Sequence, residues 1–408
     1  MKIRSITCFV DPRLDPDGVQ VRHLAEFCSD ARESLASGSI EVQSTRISTP
    51  PFPLMVESQE LSALQDFALS FSASARDAGF GYASCGPSLP EFPPSHDHVV
   101  DLLQHVPDAF FGSVIADQNF IYPAALRAAA RTIKEASTIT PDGFANLRFA
   151  ALANTRPYGP FYPGSYSTAN TKPAFSLAIE CGDAVLAAFR DGRPLELQRD
   201  FLLQTLEGFA SGVASRIQPL ADEYSVEFKG FDFSPAPFPD PNCSLGAAVE
   251  ALGIELGRSG ALASAAVIAD TLSQGNWKRA GYNGLMLPVL EDSLLAQRAA
   301  EGKLHIHDLL LFSAVCGTGL DTVPLPGDVS LEALESILWD MAALAVRLGK
   351  PLTARLMPIP GKKAGDPTAF DFGYFANSRV MSIDGQRVHP PLNSDAPIRL
   401  TPRIPNSH

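Results

Sequence analysis

No run of lysine and arginine, no CxxC pair and no apolar stretch of membrane-spanning length occurs in the 408 residues. Each absence excludes something. Without a basic cluster, and with a formal net charge of −13, the chain lacks the means to grip nucleic acid or an anionic membrane, so neither is expected as a partner. A bilayer-crossing helix needs roughly 18 consecutive apolar residues, which the sequence does not supply. Six cysteines, at positions 8, 28, 85, 181, 243 and 316, are scattered. That spacing favours free thiols over a disulfide framework or a structural zinc site. The opening MKIRSITCFVD is interrupted by Arg4, Ser5 and Thr7 and reads as a strand rather than a leader, so a cytoplasmic location is expected. GxSxG, GxxxxGK[ST] and GxGxxG are also missing, which disfavours a serine-elbow hydrolase, a phosphate-cradling loop and a dinucleotide fingerprint.

What is present suits a large core. Hydrophobic residues make up 45% of the chain and charged residues 19%, far from the composition of disorder. Apolar, β-rich runs alternate with segments of helical period. The strand expectations are Ile3–Val10, Ile40–Ser48, Phe80–Cys85, Phe110–Ala116, Leu147–Ala153, Phe175–Cys181, Tyr224–Phe233, Tyr282–Val289, Leu309–Val315 and Thr353–Ile359. The main helical expectations are Gly18–Leu35, Ser58–Ala78, Tyr122–Ala136, Leu197–Ile217 and Leu331–Leu348. Such alternation points to βα units and largely parallel strands. Ten strands are too many for an eight-stranded barrel, and an open doubly wound α/β sheet is the alternative. One domain is expected over residues 1–383, followed by a Pro-rich, loosely packed tail over 384–408.

Chemistry-bearing residues collect where glycine, proline and polar residues follow an apolar strand, the place where parallel α/β folds build their sites. In RISTPPFP, two prolines after Arg46 can present its guanidinium rigidly to an anion; a surface salt bridge explains the same residue. In GFGYASCGP, Tyr82 and Cys85 sit at a strand end, with Cys85 either a reactive thiol or an inert buried one. FYPGSYSTAN offers Tyr162 and Ser165 as a polar ligand lining, or forms a plain hydroxyl-capped turn. The final third is densest. GYNGLMLPVLEDS carries Asn283 and Glu291; VCGTGLDTVPLPGD carries Cys316, Asp321 and Asp328; KPLTARLMPIPGKKAGD carries Arg355, Lys362 and Asp366. Glu291, Asp321 and Asp328 can gather round Mg²⁺ or Ca²⁺, or serve separately as caps and turns. His305 and His307 share one face of a strand at this spacing but have no third ligand nearby.

These same blocks resemble the domain-of-unknown-function 711 family, also called uncharacterised protein family 0210, from about Ile3 to Val380. The resemblance implies a fold like that of pyruvate formate-lyase and ribonucleotide reductase: a ten-stranded α/β barrel in two five-stranded halves, with a cysteine-tipped finger loop. By that analogy VCGTG is the finger and Cys316 its tip. The chain departs from the glycyl-radical pattern, because the string Ser378-Arg379-Val380-Met381-Ser382 lacks the radical glycine. It also lacks adjacent paired cysteines.

The expectation is therefore an enzyme holding a small anionic metabolite in an enclosed polar site and doing non-radical lyase, hydrolase or transferase chemistry. Cys316, Asp321 and Cys85 are the catalytic candidates. Arg46, Tyr82, Tyr162, Ser165, Asn283, Arg355 and Lys362 are the substrate-binding ones. A binding protein without chemistry, and a radical enzyme served by a partner, are the competing expectations. A homo-oligomer is compatible with either.

Overall fold

The computed structural model describes residues 1–315, 317–385 and 394–403. Its strands are β1 (Lys2–Phe9), β2 (Thr45–Ser48), β3 (Tyr82–Ser88), β4 (Ala109–Ala116), β5 (Phe120–Ile121), β6 (Phe149–Ala153), β7 (Ala174–Glu180), β8 (Glu227–Asp232), β9 (Gly319–Pro326), β10 (Leu352–Ile359) and β11 (Ile398–Arg399). They form one mixed sheet in the order β8-β7-β1-β2-β3-β4-β6-β10-β9, with β5 attached to β4 and β11 to β5. Neighbours from β1 through β6 along this path run parallel, as do β7 with β8 and β9 with β10. The two groups meet antiparallel at β1–β7 and β6–β10.

Local chemistry explains the flanking helices. The helix Leu331–Leu348 starts where Ser330 accepts from the Ala333 N–H and stops at Gly349, whose φ of 64° suits a residue without Cβ. It turns Leu334, Leu338, Met341 and Ala345 into the core. The helix Pro123–Ala136 opens on a proline, whose missing N–H is not needed there, and buries an alanine-rich face that allows close packing. Strand β6, FAALA, is buried at every position, as expected of a strand covered on both faces.

One feature of the interior is polar. The connection between β6 and β7 runs through buried space over residues 159–165, so its peptide groups need partners other than water. Hydroxyls on the strands supply them. Thr7 Oγ1 donates to the Pro160 carbonyl at 2.9 Å, Ser84 Oγ donates to the Ser165 carbonyl at 3.0 Å, and Ser48 Oγ lies 2.8 Å from Ser165 Oγ. The segment read from sequence as a turn is thus anchored across three parallel strands.

Three sequence expectations are corrected. Leu309–Val315 is not a strand: residues 306–313 form a helix, begun by a capping box between His305 and Asp308. A short apolar run does not distinguish strand from helix by period, and the capping pair decides it. His305 and His307 therefore flank a helix start, not a strand face. The Gly- and Pro-rich stretch after Cys316, read as a loop, contains the fully buried strand β9. Its two prolines are tolerated because ladder pairing runs only along β10. Tyr282–Val289 forms no ladder of its own; this region makes single bridges, Phe231 with Arg279 and Pro288 with Asp321. Part of the tail is docked, since Ile398 and Arg399 pair with β5 and the Leu400 N–H reaches Asn119.

Candidate functional site

A cavity of about 560 Å³ opens where β1, β2, β3, β4 and β6 begin. Arg4, Arg46, Tyr82, Phe110 and Ala150 come from the N-terminal halves of these strands. From the oppositely running strands come Asp321, Thr353 and Arg355, and Tyr282, Met286 and Glu291 come from the chain between. The expectation that strand C-terminal ends would carry the site thus fails for all of these strands, because Asp321, Thr353 and Arg355 also lie in the first halves of β9 and β10, where the antiparallel register sets Ala354 opposite Ala151 of β6.

The polar wall is a ladder of arginines and carboxylates. Arg355 donates through Nε to Asp321 at 2.6 Å and through Nη2 to Glu291 at 2.7 Å. Glu291 also accepts from Arg4 at 3.3 Å. Arg4 continues to Glu180 at 3.1 Å and to Gln43 at 3.2 Å, and its guanidinium lies 4.5 Å over the Tyr374 ring. Glu180 takes further contacts from Gln43 at 2.8 Å and Lys2 at 3.3 Å. The side chains of Arg355, Glu291 and Asp321 are only 10–12% exposed, so these pairs feel little solvent screening. The two nearby carboxylates hold Arg355 above the usual arginine range against the opposing effect of burial.

Arg46 differs. Among the described residues no carboxylate lies within ion-pair distance of it; its Nε donates to Ser44 Oγ at 3.2 Å. Its guanidinium sits 5.1 Å from the Tyr162 ring centre and 5.6 Å from that of Tyr82. Burial, reinforced by the positive charge of Arg4, lowers its pKa to about 10, which still leaves it cationic at neutral pH. Five arginines and three carboxylates line the cavity: a positive surplus inside a chain of net charge −13.

Backbone strain also falls here. Thr322, next to Asp321, has φ of 43°, a region a β-branched residue rarely adopts and one associated with functional sites. Its Oγ1 accepts from the Leu290 N–H at 3.3 Å, tying the strained residue of β9 to the segment that carries Glu291.

The structure brings together Arg46, Tyr82, Tyr162, Asp321, Glu291 and Arg355 on one wall. It does not bring the others. Cys85 lies wholly buried among apolar neighbours, and burial pushes its thiol far above the ordinary range, which disfavours a thiolate. Ser165 is buried under β2 and β3. Asn283 works structurally, accepting from Trp277 Nε1 at 3.0 Å and donating to the Phe231 and Ala280 carbonyls. Lys362 and Asp328 belong to turns outside the cavity lining. Cys316 lies outside the described residues; Gly317 is described and packs against Gly284, and Thr318 lines the cavity. The proposed Mg²⁺ or Ca²⁺ ligands do not fit: Arg355 stands between Glu291 and Asp321, and Asp328 is exposed on its turn. Among the described residues no group of three or more His, Cys, Asp or Glu side chains is arranged to hold a metal, and no helix is long and apolar enough to cross a membrane.

Sequence reasoning missed Arg4, Gln43, Glu180 and Tyr374. A signal existed for two of them, since Arg4 and Glu180 are charges set within strand-forming segments of a large α/β core, where burial demands a partner.

A family model described as Uncharacterised ACR (DUF711) matches residues 1–377. The chain belongs to the DUF711 family. Relatives of this DUF711 protein include a UPF0210 protein of Pyrobaculum arsenaticum, 34% identical over 256 residues, covering 60% of this chain and 55% of the relative. A UPF0210 protein of Methanopyrus kandleri is 27% identical over 94% of this chain and 87% of its own length. One from Clostridium perfringens is 25% identical over 90% and 83%. The match thus spans little more than half of the Pyrobaculum protein and most of the other two. These names denote a family, so the activity has to be argued from the site.

Proposed function

We propose that this DUF711 protein is an enzyme that takes a small anionic metabolite into the cavity at the start of the parallel strands and acts on it by non-radical lyase, hydrolase or transferase chemistry. The observation that carries this reading is Arg46: a cation in the cavity wall whose charge no described carboxylate neutralises. Of the other lining arginines, Arg4, Arg76 and Arg355 are matched to acids and Arg148 spends its Nη groups on the Val106, Ala109 and Leu103 carbonyls, so Arg46 is where a ligand's negative charge is best accommodated. Asp321 is the proposed acid–base group, oriented by Arg355 and set beside a strained residue. Cys316 remains the proposed nucleophile on sequence grounds, two residues before a cavity-lining threonine.

We propose that the sheet closes into a ten-stranded barrel of the pyruvate formate-lyase and ribonucleotide reductase type, with residues 278–289 as the tenth member between β8 and β9. In its support, the Phe231 N–H donates to Lys278 at 2.7 Å on one side and the Val289 N–H donates to Asp321 at 3.0 Å on the other. Both single bridges are parallel.

The test of function is a panel of small organic acids and phosphates scored by thermal shift, with every hit incubated and re-analysed by mass spectrometry. A hit should raise the melting temperature of the native chain, be converted by it, and lose both effects in Arg46→Gln. Asp321→Asn should retain binding and lose conversion. Equal stabilisation of native protein and Arg46→Gln by every hit would remove the anion-binding reading. Binding without conversion of any hit would leave a ligand-binding protein in place of an enzyme.

A further inference from the structure

The cavity is far larger than the charge it answers. A lone carboxylate or phosphate fills a minor part of about 560 Å³, a volume within the roughly 300–1,000 Å³ range of pockets that enclose whole organic ligands. The rest of the wall therefore describes the ligand's body. Nine of its 34 lining residues are Phe or Tyr, against 9% aromatic residues in the chain as a whole.

The rings are concentrated round the unmatched cation. Tyr82 and Phe110 meet edge to face at 5.7 Å, Phe110 and Tyr162 form a tilted pair at 5.1 Å, and Arg46 lies against both tyrosines. Tyr82 is 40% exposed, an unusual state for a ring in the wall of a cavity, and one that a stacked planar ligand would relieve. Across from this group, Phe372 and Tyr374 form a second pair of rings at 5.3 Å.

The head group follows from the donors. Arg46 spends its Nε on Ser44, which leaves the two Nη groups, a planar fork matched to one carboxylate. A doubly charged phosphate would call for a second cation with free donors or for a helix N-terminus, and the guanidiniums of Arg4, Arg76, Arg148 and Arg355 are already engaged by acids or backbone carbonyls. Among the described lining residues, none comes from the first turn of an α-helix.

Resting on the proposed anion site, we infer that its ligand is an aromatic monocarboxylate, with the carboxylate on Arg46 and the ring stacked on Tyr82 and edge-on to Phe110. The experiment uses the full chain, titrated calorimetrically with phenylacetate and 2-naphthoate, with acetate, inorganic phosphate and the uncharged phenylacetamide as comparators. The aromatic acids should bind about tenfold or more tightly than acetate or phosphate, and phenylacetamide should lose about as much. Arg46→Gln should erase the preference for phenylacetate over its amide. Tyr82→Ala, altering a ring that is 40% exposed, should weaken 2-naphthoate severalfold and leave acetate unchanged, with a melting curve confirming that the variant is folded. If acetate or phosphate binds as tightly as the aromatic acids, the aromatic class is overturned while the anion site stands. If no member of the panel binds, or if Arg46→Gln binds phenylacetate as the native chain does, both readings fall.

Discussion

Two arginines on one cavity wall show how little a residue's identity says about its role. Arg355 and Arg46 both lie within strands, and from sequence both have the same expected role, holding a substrate anion. Arg355 is instead clamped between Asp321 and Glu291, 34 and 64 residues away in sequence, while Arg46 keeps an unmatched charge. The difference makes a prediction. Replacing Arg355 by Ala strands Asp321 and leaves Glu291 to Arg4 alone, and breaking such a buried network by removing one partner typically costs about 3–5 kcal/mol. Urea unfolding of Arg355→Ala should show a loss of that order, whereas Arg46→Gln, with no ion pair to break, should change stability by less than about 1 kcal/mol. An Arg355→Ala protein as stable as the native chain would mean that the clamp is not formed in solution.

At the scale of elements, short apolar segments were the hard ones. The run over residues 306–313 satisfies a buried strand and a buried helix equally, and its capping box decided the matter. The glycines of the final third are spaced for contact rather than for loops. A Cβ on Gly284 would come within 2.3 Å of Gly317 Cα, so the two chains touch backbone to backbone. Gly284→Ala should therefore lower the melting temperature by several degrees, as overpacking of about 1–3 kcal/mol implies. Gly208, within the helix Leu195–Glu223, has open space where a Cβ would go. Gly208→Ala should raise stability by roughly 0.5–1 kcal/mol, because alanine loses less backbone entropy in a helix. The reverse order of effects in differential scanning calorimetry would refute the crossing of these two segments.

For the molecule as a whole, the decisive question is whether the strand path from β8 to β9 is closed by residues 278–289. Hydrogen exchange answers it directly. If the sheet closes, the amides of Ala280 and Val289, which donate to Phe231 and Asp321, should exchange as slowly as those in the middle of β1, since opening them would require opening the sheet. Exchange on the timescale of exposed turns would leave an open sheet with a covering segment. Closure also bears on the cavity, because Tyr282, Met286 and Glu291 all come from this part of the chain or just beyond it.

The sequence alone was sufficient for the α/β class, for the helices over 123–136 and 331–348, for most of the parallel strands and for DUF711 membership. Those features rest on local periodicity, caps and contiguous motifs, all of which are written within a few tens of residues. It also pointed to Arg46, Tyr82, Tyr162, Glu291, Asp321 and Arg355. Only the tertiary structure decided which of them share a cavity, that Arg4 joins them with Glu180 behind it, and that Cys85 is sealed in the core. The reason is electrostatic and steric. Whether a charge is free or matched, and whether a thiol meets solvent or methyl groups, depends on atoms brought close by strands far apart in the chain.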